Sequence, residues 1–545
     1  MAPHSQTRAQ QEPAHPIKRA RSSQTSSAST TGPVGPLAKP PASLEVRPKA
    51  LFLVLAAVVY FAALAWAAAA FGTWTDEEYT LATTAHGVGY ALSRAMSYEL
   101  QAPLYFGILA AWREINASVW FARLFSVLCA TAFLFVMAKI GTRVAPEFDP
   151  VPFALLVALN PFVVLAALEI RLYALALLLS ALMWLAFDSG FASGASWRAR
   201  TAFVLLAICA VYVQYFLAFM LVGFGCALLV LGRPRALGAF VACASVVGLA
   251  VVPLAIAARS QFGGYETLAQ PPLWPLVLSV GHWFVAFAFP RDFTWNALPF
   301  GRPAYLAFVG VTVLTIGLSQ PKVSRQLLAL LVCAAAIQLT YVALAAALLQ
   351  QLNERYFVAL FVPVVAASYG VFRAVRDGPR PTLALAFASC VLLTGLALFT
   401  QYRFLAQPGD WKRVAPYLEA HATRDDVIAI FPADGLPAFE RQYRGNVPFA
   451  PYPRPYSSER YSVRTLSVAS PAVARAAFAQ FAHYRHIWFV DGEPCLPEDR
   501  HYGCEIVESV LASDFRKLDR RRFYRNTVYE LSGPGGAATQ PQRVR

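Results

Sequence analysis

Asp76, Glu77 and Glu78 are three consecutive carboxylates placed directly after an apolar run at 51–71, flanked by Trp74 and Tyr79. A carboxylate can take a proton from a hydroxyl or help to hold a cation. Ionisable groups at a membrane boundary are costly to desolvate, which makes such a cluster a functional candidate. The plain alternative is a solvated loop whose aromatics belong to the interfacial belt. Other polar residues interrupt apolar stretches in the same way: Arg123, Glu169 with Arg171, Gln214, and Glu354 with Arg355. Arginine suits a phosphate because its guanidinium is a planar fork of donors that stays charged.

The elements that must position these groups are membrane helices. Of 545 residues, 57% are hydrophobic and 14% charged, against about 25% charged in a soluble domain. Long apolar runs recur along the chain, and helices satisfy their own backbone hydrogen bonds in lipid. The alternating short segments of a membrane β-barrel are not seen. Spans are expected at 51–71, 118–140, 150–167, 170–188, 199–214, 216–232, 235–257, 303–319, 325–350, 355–374 and 380–400. Two shorter or ambiguous runs, 103–112 and 274–290, are read as lying in the outer face. The first would reach only about 14 Å as a helix against a ~30 Å hydrocarbon core.

Charge fixes the sidedness. The net charge is +15, and basic pairs such as Lys139 with Arg143, Arg198 with Arg200, and Arg233 with Arg235 sit in connections that the positive-inside rule places in the cytoplasm. The first 49 residues, rich in Ser, Thr, Pro and basic groups, read as a disordered cytoplasmic tail. The result is eleven spans in residues 50–400, with outer loops at 72–117 and 258–302. A periplasmic α/β domain is expected at 401–532, then a flexible end at 533–545. The carboxylates at 76–78, Glu169, Arg171, Gln214 and Arg355 all fall on the outer side.

The soluble segment has a helix pattern from Asp410 to Ala420, strand patterns at 427–431 and 486–490, and a helix pattern at 471–481. Six of the eight cysteines lie in apolar runs and read as small core residues. Cys495 and Cys504 bracket a polar loop and are candidates for a disulfide outside the reducing cytoplasm. No metal-ligand spacing and no nucleic-acid motif appears.

Four stretches taken in order resemble the GT-C membrane glycosyltransferases, in particular bacterial enzymes similar to protein O-mannosyltransferases and the aminoarabinose transferase of lipid A. They are Asp76-Glu77-Glu78-Tyr79; Ala102-Pro103-Leu104-Tyr105-Phe106 with Phe121-Ala122-Arg123-Leu124-Phe125-Ser126; Glu169-Ile170-Arg171-Leu172-Tyr173 with Tyr212-Val213-Gln214-Tyr215-Phe216; and Arg355-Tyr356-Phe357 with Gly409-Asp410-Trp411-Lys412-Arg413. The resemblance spans roughly residues 50–490. The family usually has His-Pro-Pro or Lys-Pro-Pro where this chain has Gln101-Ala102-Pro103, and often a His in place of Gln214.

The resemblance implies a GT-C-like helical bundle that transfers a sugar from a polyprenyl-phosphate donor to an envelope lipid, glycan or protein acceptor, at the outer face of a bacterial inner membrane. By matching position, Asp76 is the general base, with Glu77 holding the acceptor or a loop partner and Glu78 solvated. Arg171 and Arg355 are candidate phosphate ligands; their alternatives are pairing with Glu169, and with Glu354 or the interface. Arg123 either binds phosphate or holds the first loop by pairing with Glu99 or Asp76. Tyr105, Tyr173 and Tyr356 are candidates to stack on sugar or bond phosphate, or are interface aromatics. Gln101 and Gln214 are candidate sugar contacts. No cofactor is obligatory, although a divalent cation among the carboxylates is conceivable. A secondary transporter and a non-catalytic envelope scaffold are the competing readings.

Overall fold

The computed structural model describes residues 48–262, 301–348, 354–402, 406–455, 463–492, 495 and 502–532. The run at 274–290 and, of the terminal segments expected to be disordered, residues 1–47 and 533–545 lie outside these residues, while 48 and 49 open the first helix.

The chain is a multi-pass helical membrane protein with a small α/β domain after the last span. α1 (Pro48–Ala70) is followed by three short helices, α2 (Thr75–Thr83), α3 (Gly87–Ser97) and α4 (Leu104–Arg113). α5 (Val119–Val144), the pair α6 (Pro150–Ala158) and α7 (Pro161–Leu168), and α8 (Tyr173–Phe187) come next. α9 (Trp197–Val213), α10 (Phe219–Leu231), α11 (Pro234–Phe262), α12 (Gly301–Ser319), α13 (Arg325–Leu348), α14 (Val358–Ala374) and α15 (Arg380–Tyr402) complete the bundle. α5 and α8 are its most buried long helices, whereas α1, α11 and α15 show most of their apolar surface to the outside. Exposed Leu55, Val59 and Trp66 on α1 fit lipid, because a helix apolar on every side needs no aqueous face.

The helices follow the expected spans closely, but fewer are full-length. Among the described residues, six are long and apolar enough to cross a membrane, or seven if the α6–α7 pair counts as one. The span expected at 150–167 is bent by 59°. Pro161 lacks a backbone N–H, and the Asn160 side chain accepts from Phe162 N at 3.0 Å, so a new helix starts there. At 216–232 and 355–374, 3-10 turns (Tyr215–Ala218 and Glu354–Phe357) occupy the N-terminal end and shorten the α-helix behind them. The acidic stretch, placed from sequence at the start of the outer loop 72–117, is the first turn of α2, where carboxylates are favoured by the helix dipole. The run at 103–112 forms α4, too short to span.

The soluble domain holds α16 (Trp411–His421), β1 (Val427–Phe431), α17 (Leu436–Gln442), β2 (Phe449–Pro451), α18 (Pro471–Ala479), β3 (His486–Asp491), α19 (Cys504–Asp514), β4 (Lys517–Phe523) and β5 (Asn526–Ser532). The sheet order is β2-β1-β3-β5-β4. β1 pairs parallel with β2 and β3, and β5 runs antiparallel to β3 and β4. Strand side chains alternate between faces. Val427, Ala429 and Phe431 accordingly pack with Phe478 and Val507, while Ile428 and Ile430 pack with Trp411 and Phe439. Helices thus cover both faces of the sheet. A Cys495–Cys504 disulfide closes the loop before α19.

Gln407, Lys412 and Arg441 help to seat this domain on the bundle. Gln407 donates to the Leu168 carbonyl at 3.1 Å, Lys412 Nζ to the Ala70 carbonyl at 2.6 Å, and Arg441 Nη2 to Glu78 Oε2 at 2.7 Å. Each caps or clasps an element at the same end of the bundle, the end that carries the acidic turn.

Candidate active site

Successive residues on an α-helix point about 100° apart, so Asp76, Glu77 and Glu78 cannot share one ligand. Each faces a different partner. Among the described residues no group of three or more His, Cys, Asp or Glu side chains is arranged to hold a metal ion. The cation suggested from their adjacency in sequence has no common site here.

Glu77 is fully buried against Arg123, itself fully buried. Arg123 donates Nε to Glu77 Oε1 at 3.0 Å and Nη2 to Oε2 at 2.6 Å. Its other hydrogen bonds go to the carbonyls that α1 leaves unpaired as it ends: Ala68 and Phe71 at 2.9 Å, and Gly72 at 2.5 Å. Glu77 Oε1 also accepts the Ile170 backbone N–H at 2.9 Å. This corrects the expectation that Arg123 pairs with Glu99 or Asp76. α5 carries Arg123 beneath the exit of α1, where only Glu77 and the helix-end carbonyls converge. Every donor of Arg123 is used within the protein, so neither member of the pair offers a group to substrate.

Glu78 was expected to be solvated. It is instead buried and clasped by Arg441 of α17, with Nε on Oε1 and Nη2 on Oε2. The bond to Glu78 holds Arg441 above its ordinary pKa despite burial. Arg113, at the end of α4, donates to the Leu81 carbonyl at 2.6 Å and to Thr84 Oγ1 at 2.5 Å, which fixes the far end of α2.

Asp76 differs from both neighbours: its side chain is 32% exposed. Arg171 stands beside it, in the break between α7 and α8. Its Nη2 lies 3.8 Å from Asp76 Oδ2. Its Nη1 donates to the Asp76 carbonyl at 3.2 Å, Thr80 Oγ1 at 2.9 Å and Glu99 Oε2 at 3.2 Å. Glu99 accepts from Thr83 Oγ1 at 2.9 Å through its other oxygen. Burial pulls the Arg171 pKa down, but Asp76 and Glu99 outweigh it and hold the guanidinium firmly charged. Burial pushes the Glu99 carboxyl up, against the opposing pull of Arg171.

Among the buried polar atoms without a hydrogen-bond partner in the described residues are Arg171 Nε, Tyr105 Oη and Gln214 Nε2. A buried polar atom left unsatisfied costs about 1–3 kcal/mol, so each is a candidate to be completed by a ligand. Arg171 acts on Tyr105 electrostatically. Gln214 ends α9 two residues before Phe216, whose ring centroid lies 5.0 Å from that of Tyr356. Tyr173 is buried as the first residue of α8. Gln101 precedes α4 and is partly buried. Arg355 lies in the turn Glu354–Phe357; its side chain is outside the described residues.

Sequence reasoning left Thr80 and Arg441 out of the site, and it named Glu99 only as a partner for Arg123, whereas Glu99 pairs with Arg171. Thr80 lies four residues after Asp76 and so one helical turn away on the same face, a signal that was available. Arg441 reaches the site through the tertiary fold, which also gives Glu99 to Arg171 rather than to Arg123.

No family model matches the sequence, and no curated protein matches it. Among solved structures the chain is similar to ArnT from Cupriavidus metallidurans in the apo state, at 13% identity over 88% of this chain and 98% of that one, with a TM-score of 0.49. It is similar to ArnT from the same organism bound to undecaprenyl phosphate, at 14% identity over 90% and 99%, with a TM-score of 0.46. It is also similar to the arabinofuranosyltransferase AftD from mycobacteria, at 14% identity and a TM-score of 0.46, covering 89% of this chain and 40% of that one.

Proposed function

We propose that the protein is a glycosyltransferase that moves a sugar from a polyprenyl-phosphate carrier to a hydroxyl on an envelope lipid, glycan or protein. The observation that carries this reading is the pairing of a half-open carboxylate with an incompletely bonded cation. Asp76 is a third exposed, and Arg171 beside it has a buried Nε without a partner among the described residues. The order of motifs along the chain supports the same assignment.

In this reading the acceptor hydroxyl gives its proton to Asp76 as its oxygen attacks the anomeric carbon. The new bond is acceptor oxygen to carbon; the bond that breaks joins that carbon to the carrier phosphate, which leaves with the electron pair. Arg171 Nε donates to the departing phosphate, and its fixed charge is worth most in a water-poor site. Tyr105 and Gln214 bond the donor with their free polar atoms. Glu99 and Thr80 hold Arg171 in register, and Glu77 with Arg123 holds the turn that presents Asp76.

Sidedness follows from charge. Arg143, Arg233, Lys322, Arg373 and Arg376 gather at the bundle end remote from the acidic turn, which the positive-inside rule assigns to the cytoplasm. The acidic turn and the α/β domain then face the periplasm of a bacterial inner membrane, where a polyprenyl carrier can enter sideways from lipid.

Mass spectrometry of envelope lipids and glycans from a deletion strain tests the reading. One missing sugar, restored by the wild-type gene and not by Asp76→Asn, is the expected result. An unchanged envelope would count for a transporter or scaffold instead.

A further inference from the structure

The bundle end remote from the acidic turn has its own cavity, about 770 Å³ in volume. α5 links the two ends, and the twenty residues from Arg123 to Arg143 cover about 30 Å at helical rise. The floor of the cavity is apolar and lies inside the bundle: Trp184, Phe224 and Leu327 line it and are buried. Its rim is charged. Arg143 is matched by Asp188 at 3.0 Å. Arg373 and Arg376 share a single Glu147 oxygen at 2.6 and 3.0 Å. Arg376 also lies 3.4 Å from Asp377, which is 89% exposed. Arg233 and Lys322 line the same rim, are exposed, and have no carboxylate partner among the described residues.

The rim therefore holds positive charge in excess of its acids, and two of its cations are uncommitted. An apolar floor below a cationic rim at a membrane boundary matches one class of molecule in both parts. An anionic headgroup satisfies the cations through charge-assisted hydrogen bonds, and an acyl chain gives the apolar floor the contact atoms that an empty cavity lacks. A free phosphate satisfies only the rim. Basic pockets between membrane helices are suited to anionic headgroups for this reason.

We propose that this cavity binds an anionic phospholipid, with its phosphate between Arg233 and Lys322 and a chain against the apolar floor. The site is separate from the acidic turn, and the inference stands whether or not the protein transfers sugar.

The test uses the full chain, purified in a neutral detergent, and reads binding as a saturable shift in thermal unfolding. The probes are dioctanoyl phosphatidylglycerol, dioctanoyl phosphatidylcholine and inorganic phosphate. Phosphatidylglycerol is expected to bind saturably, and the other two not at the same concentrations. The double variant Arg233→Ala, Lys322→Ala should weaken phosphatidylglycerol binding by about thirtyfold, at roughly one basic contact's worth per residue. Asp377→Asn, which removes an exposed acid from the rim, should tighten it. Equal binding of phosphatidylcholine, or wild-type affinity in the double variant, overturns the proposal. Inorganic phosphate binding as well as the lipid overturns the assignment to a lipid.

Discussion

Arg123 and Arg171 are both buried arginines at the same end of the bundle, and they are bonded in opposite ways. Arg123 spends all its donors on three backbone carbonyls and one carboxylate. Arg171 crowds Nη1 onto three acceptors, stands 3.8 Å from Asp76 Oδ2 and leaves Nε without a partner among the described residues. The first arrangement is complete without a ligand. The second is not. A sequence shows two arginines near two acidic motifs, but hydrogen-bond saturation separates the one fully bound within the frame from the one left able to meet a ligand.

The largest expected effect is on the saturated side. Arg123→Ala leaves Glu77 buried without a counter-charge and frees the carbonyls at the end of α1. Breaking a buried pair by removing one partner costs about 3–5 kcal/mol, so the variant should lose most of its folded yield by size-exclusion chromatography. A well-folded, stable Arg123→Ala would erase the distinction. Arg171→Gln should instead fold, because burial already favours protonation of Glu99 and that acid can become neutral cheaply. Its transfer rate should fall about a hundredfold, the scale for removing a charged donor to a developing anion. Normal transfer with lost stability would reverse the roles of the two arginines.

Arg441→Ala sharpens the frame further. Arg441 is 41% exposed, so solvent screening limits its pair with Glu78 to about 1 kcal/mol. Hydrogen exchange should quicken in Leu436–Gln442 and in the first turn of α2, with the rest of the bundle unchanged. The smallest effect concerns acidity. Burial raises the Glu99 pKa, so the stability tied to its protonated form is fully present below the ordinary glutamate range and is lost as pH rises through the raised value. Glu99→Gln, which stays neutral, should keep that stability. Its unfolding temperature should therefore gain on wild type as pH rises across that window, and a constant difference would show that Glu99 does not titrate there.

Much of the architecture was legible because apolar runs and basic connections carry it directly. The helices at 51–71, 118–140 and 380–400 needed only hydropathy, and β1 and β3 only short apolar runs. β4 was not legible: Lys517-Leu518-Asp519-Arg520-Arg521-Arg522-Phe523 is an exposed edge strand, and charges that protect an edge hide the strand pattern. The break at Pro161 was visible as a proline, but an unbroken apolar run masked it. At the site, Asp76 and Arg171 could be named from their positions at span ends. The burial of Glu77 and Glu78 could not, because it depends on where α5 and α17 bring Arg123 and Arg441.

The account turns on Asp76 being the carboxylate that reacts while its neighbours hold the frame. The most direct measurement is the transfer rate per folded molecule of Asp76→Asn, with thermal unfolding recorded on the same sample. The account predicts wild-type unfolding and a rate lowered by at least about a hundredfold, the lower scale for a lost general base. Full transfer by a normally folded Asp76→Asn protein would contradict it.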